Sequence, residues 1–91
     1  MSKDQIAISS LAMDLKRVAL GSHNGSENTA KRFVEEALKR KEEISLNKVK
    51  PYLQKFLLDL PSVLSQKDKQ KLAEAALMYS TLFQNYVLKS L

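Results

Sequence analysis

No cysteine occurs in the 91 residues, which excludes a disulfide framework, a thiolate metal site and a cysteine nucleophile. Turn formers are scarce as well: two glycines, Gly21 and Gly25, and two prolines, Pro51 and Pro61. That scarcity favours a few long helices over many short strands. No stretch approaches the roughly 20 continuous apolar residues of a membrane span. The segment Met1–Ile8 carries Lys3, Asp4 and Gln5, and the apolar residues after it are broken by Ser9, Ser10, Asp14, Lys16 and Arg17. Such a pattern is not the core of a signal peptide, and the expectation is a soluble cytoplasmic protein.

What is present is a composition of 44% hydrophobic and 27% charged residues, ordinary for a folded domain and unlike a disordered chain. The expectation is one helical domain over residues 1–91. A domain of this size buries only about 60–65% of its unfolded surface, so association with a second copy would add stability. The net charge is +5. Its excess sits in residues 44–71, where six lysines face only Asp59 and Asp68. A bias of that kind suits a polyanion, an acidic protein or simply solubility.

Helix-period spacing of Ile8, Leu11, Ala12, Leu15, Val18 and Ala19 predicts a first helix from near Asp4 that stops before Gly21. Residues 21–26 read as a loop. Ser26 as N-cap and Glu27 in the first turn begin a second helix that runs to Glu43. Its inner face is Ala30, Phe33, Val34, Ala37 and Leu38. On its outer face, Lys31, Glu35, Lys39 and Glu43 form one ladder at four-residue spacing, and Arg32, Glu36 and Arg40 another. A third helix is predicted from Lys48 to Leu60, ended by Pro61. Ser65 and Asp68 then resemble a capping box that opens a last helix over 65–91.

The fold expected is all-α, a small up-and-down bundle of about four helices with a long C-terminal helix at its centre. On a helical wheel, the apolar positions of residues 72–91 span roughly 220°, wider than one neighbour needs. Ala73, Ala75 and Ala76 permit close approach of another backbone, and bulk follows in Tyr79, Leu82, Phe83, Tyr86 and Val87. Either this helix packs between several others inside the monomer, or part of the sector faces a partner, and those five residues are then the expected interface with a second copy in a homodimer or with another helical protein.

Signals for catalysis are weak. The one histidine, His23, lies in the 21–26 loop with no sequence partner that would make it a proton shuttle. The same loop lacks the lysine and hydroxyl residue that follow the last glycine of a phosphate loop. Carboxylate pairs Glu35–Glu36 and Glu42–Glu43 have no accompanying Glu-x-x-His motif, and neighbouring basic side chains neutralise them. No catalytic residue, metal ligand, cofactor or small-molecule substrate is inferred. Lys67, Lys69 and Lys71 are unusual in the opening of a helix, where acids are preferred. With Lys48, Lys50 and Lys55 they are the candidates for anion or nucleic-acid contact. A helix-turn-helix is disfavoured because the last helix is too apolar to read bases. The leading expectation is a non-catalytic protein-interaction or self-association module. The alternative is weakly sequence-specific, phosphate-dominated nucleic-acid binding through residues 44–71.

Overall fold

The computed structural model describes residues 2–90 of the chain. Helix α1 spans Lys3–His23, α2 Glu27–Glu42, α3 Pro51–Leu64 and α4 Lys69–Ser90, with a single 3₁₀ turn at Leu46–Lys48 between α2 and α3. Residue 91, which the sequence assigns to the last helix, lies outside the described residues. The helices form an all-α up-and-down bundle of 35 × 21 × 19 Å.

Each boundary has a local cause. The Ser2 side chain accepts from the Gln5 amide at 3.1 Å and the Gln5 side chain accepts from the Ser2 amide at 2.7 Å, closing a capping box that starts α1. At the other end α1 does not stop before Gly21. It continues to His23, and the residue that ends it is Gly25, with φ +76°. Around that left-handed glycine the Ser26 amide donates to the Gly21 carbonyl at 2.8 Å, the six-to-one bond of a Schellman turn. Gly21 serves a different purpose. It is buried, and a Cβ placed there would come within 2.9 Å of the Ala30 amide nitrogen. Its missing side chain is what lets α1 and α2 touch.

Ser26 is the N-cap of α2 but makes no side-chain bond to the backbone; its hydroxyl donates to the Thr29 hydroxyl at 2.8 Å. None of the four-residue rungs on the outer face of α2 closes to an ion pair among the described residues, whereas Arg40 reaches Glu43 at 3.0 Å. Such exposed pairs contribute little. The third helix begins at Pro51, in the first-turn position where proline's missing donor costs nothing. It does not end at Pro61, which lies inside it. Proline interrupts the hydrogen-bond ladder there, yet Val63 and Leu64 pack into the core in the following turn, and Pro61 itself is exposed. Burial of that last turn outweighs the lost bond.

The Ser65 capping box does not form. Ser65 caps the end of α3, its hydroxyl donating to the Ser62 carbonyl at 2.7 Å. Asp68 instead begins α4, accepting from the Lys71 amide at 3.0 Å. The last helix thus starts four residues later than its sequence suggests.

Consecutive helices run antiparallel, and so do α1 and α4. Gln5 donates to the carbonyl and hydroxyl of Ser90, each at 3.1 Å, and the buried Ser80 hydroxyl donates to the Ala12 carbonyl at 2.7 Å. Small residues along that seam, Ala12 and Ala19 against Ala76 and Ser80, bring the two backbones together. α1 packs closely on both α2 and α4, so α1 rather than α4 is the element gripped on both sides. α3 closes the bundle at longer range, through Leu53, Leu57, Leu60 and Leu64. Segment 44–50 is pinned by buried Ile44 and Val49, by the Ser45 amide donating to the Asp4 carboxylate at 3.2 Å, and by the Lys50 amide donating to the Tyr86 hydroxyl at 3.3 Å.

Candidate interaction face

The broad apolar sector of α4 is used mostly inside the chain. Tyr79, Phe83 and Val87 are core residues, with Phe83 fully enclosed. A side chain with no exposed surface cannot form an interface, so the expected docking patch does not exist in that form. Its occupant is α3: Phe56 meets Tyr79 edge-on at 5.6 Å and Tyr52 meets Tyr86 at 6.0 Å. Tyr79 and Phe83 stack likewise at 6.1 Å. Burial, and secondarily the negative charge of Asp59, push the Tyr79 hydroxyl above its ordinary range. Leu82 and Tyr86 are half-buried and retain some surface.

The unpartnered apolar surface lies elsewhere. Ile6, Met13 and Leu20 stand seven residues apart on α1, two turns each, and are 51–54% exposed. On α4, Leu77, Met78 and Leu88 are 52–60% exposed. The antiparallel register puts the Leu20 end of one stripe beside Leu77 of the other, whereas Ile6 lines a groove with Arg40 and Glu43 of α2. Leu20 and Leu77 line one shallow groove, with Lys16, Ala19, Ala73 and Glu74 around them. No charged residue occurs on α1 between Asp4 and Asp14, or on α4 between Glu74 and Lys89. Thr81, Gln84 and Asn85 supply uncharged polar groups between the apolar ones. The middle of this side is therefore free of charge, with Lys16 and Glu74 flanking the groove at one end, while α2 carries alternating acids and bases. The sequence concealed it because Ile6, Met13 and Leu20 fall outside the main stripe of α1, and lone exposed apolar residues are common.

The six candidate lysines do not form one surface. Lys48 lies beside Lys3 and Asp4 at the end where α1 begins, whereas Lys67 and Lys69 lie at the end where α2 begins. The length of α3 separates them, about 21 Å at 1.5 Å per residue. Lys55 is exposed one turn into α3. Lys69 makes an ion pair with Glu27, and that hydrogen bond, then the lysine's charge, lowers the Glu27 pKa.

One polar cluster is buried. Asp14 of α1 sits 3.6 Å from Arg17 and 3.9 Å from Arg40 of α2. Both distances are too long for hydrogen bonds, and Asp14 Oδ2 and Arg40 Nε have no partner among the described residues. Burial raises the Asp14 pKa above its ordinary value; the charges of Arg40 and Arg17 pull it down, and Glu36 pushes it up. The folded protein therefore keeps this proton to higher pH than the unfolded chain. Asp14 contributes most to stability at low pH, and the contribution is lost as pH rises through its native pKa. Asp14→Asn removes the titration, so its stability relative to wild type is expected to rise as pH increases from below the ordinary aspartate range through the raised native pKa. Urea unfolding across that range checks the sign; a relative stability that falls would mean that the arginines dominate.

Among the described residues, no three or more His, Cys, Asp or Glu side chains converge as a metal site would require. No described helix is long and apolar enough to cross a membrane. No protein-family model, curated protein or solved structure gives a significant match to the chain. The functional reading therefore rests on the surface residues themselves.

Proposed function

We propose that this chain is a small, non-catalytic helical module that pairs with a second copy of itself through the α1–α4 side. The observation that carries the reading is the six half-exposed large apolar side chains on two adjacent helices, with no charge in the middle of that side and Lys16 and Glu74 at one end of it. Apolar surface of this extent favours association, and the charge-free middle of the face brings no like-charge repulsion when it meets its own copy. A standard interface takes about 800 Å² from each partner. One long side of a four-helix bundle with 5840 Å² of surface is large enough to provide that area.

Met13→Glu and Leu77→Glu test it, because both positions are exposed and the core is left intact. Sedimentation equilibrium should find a wild-type dimer whose dissociation constant rises at least about tenfold in either variant, the equivalent of about 1.4 kcal/mol. A wild type that stays monomeric up to millimolar concentration would refute the reading. The nucleic-acid alternative has weaker support, since its lysines are divided between opposite ends of the bundle.

A further inference from the structure

At the end of the bundle where α2 and α4 begin, a cleft of about 320 Å³ opens between α2, the last turn of α3 and the first turn of α4. Its floor is apolar, formed by Ala30, Val34, Leu64 and Leu72. Val34 and Leu72 pack against both hydrophobic clusters, so the cleft opens above the junction between them. Its rim is basic. Lys31, Lys67 and Lys69 line it with a single acid, Glu27, which is paired to Lys69. Lys31 and Lys67 have no acidic partner among the described residues. The C-terminal ends of α1 and α3 reach the same end as the starts of α2 and α4, so the helix dipoles largely offset one another. The lysines carry the local charge. Of these lysines, Lys69 stands in the first turn of α4, where cations are disfavoured, and a bound anion would relieve that cost.

We propose that this cleft binds one free, single-chain amphiphile with an anionic head group, such as a short alkyl carboxylate. Its chain lies on the apolar floor and its head group lies among the rim lysines. The volume is at the lower end of that seen for small-molecule sites, which suits one short chain and not a two-chain lipid. This site shares no residue with the α1–α4 face, so it stands or falls independently of self-association.

The test is titration of the ¹⁵N-labelled protein with octanoate, with acetate and octanol as controls. Octanoate should shift the amides of residues 30–34 and 69–72 saturably, with one site per chain. Acetate should not shift them, and octanol should bind more weakly. Lys31→Gln with Lys67→Gln should weaken octanoate at least about fivefold, the scale of about 1 kcal/mol. Glu27→Gln frees Lys69 and should tighten binding. Shifts that never saturate, that are equal in wild type and the lysine variant, or that centre on Leu77 and Met78 would overturn the proposal. Co-sedimentation with phosphatidylglycerol vesicles, lost in the lysine variant and unaccompanied by a saturable octanoate site, would overturn it in favour of a membrane surface.

Discussion

Phe83→Ala is expected to reduce the free energy of unfolding by about 3–5 kcal/mol, the usual loss when a large enclosed ring is deleted from a core. Phe83 is completely buried and meets Tyr79 edge-on, so both transfer and packing terms are lost. A domain of this length has a total stability of only about 5–14 kcal/mol, and the variant should sit near the limit of folding at 37 °C. Urea unfolding followed by circular dichroism would measure the shift in midpoint. A loss below about 1 kcal/mol would mean that the ring is not enclosed by its own chain. The same experiment separates the two uses of the α4 aromatics. If Phe83 belonged to an interface, its removal would alter association more than the stability of the monomer.

Gly21→Val should be the second most damaging change, at about 1–3 kcal/mol from overpacking. A Cβ at this position would lie 2.9 Å from the Ala30 nitrogen and 3.2 Å from its Cα, and backbone atoms cannot move aside as a flexible side chain can. The two helices would have to separate. Gly21→Ala makes the comparison informative, because alanine in a helix regains about 1 kcal/mol over glycine. If only helix propensity mattered, Gly21→Ala would stabilise the protein. With α2 in the way, it should instead be neutral or destabilising, and Gly21→Val clearly worse. Thermal unfolding of the three proteins decides between the two.

These residues mark where the sequence was legible and where it was not. Four helices and their core faces follow from apolar spacing alone, and Leu11, Leu15, Leu53 and Leu57 are buried as that spacing requires. The boundaries that shift are the ones settled by partners distant in sequence. Gly21 and Gly25 are equally good terminators locally, and only the approach of Ala30 assigns them different tasks. Pro61 breaks a helix by local rules, but the buried turn that follows keeps α3 intact. Ser65 and Asp68 both suit a cap, and the extension of α3 takes the first for its own end.

The same limit explains the interface. Periodicity reports how much of a helix is apolar, not which neighbour covers it. The aromatic half of α4 is met by Tyr52 and Phe56, which helix spacing places with Leu53, Leu57 and Leu60 on the inward face of α3, but nothing local says that this face covers α4. The surface left over is a milder one, spread over α1 and α4 at positions that look incidental in either helix alone. Grouping the six lysines also needed the third dimension. They are close in the chain, but α3 lies between them.

The antiparallel pairing of α1 with α4 sets an order of events during synthesis. α1 leaves the ribosome well before α4, with which it lines up, and pairings so remote along the chain are slow to form. Until α4 emerges, Ile8, Leu15 and Ala12 lack much of their covering, and the nascent chain carries a greasy stripe open to other proteins. Chaperone engagement should be greatest for ribosome-bound chains that end before residue 69, and should fall sharply once Ser80 can reach the Ala12 carbonyl.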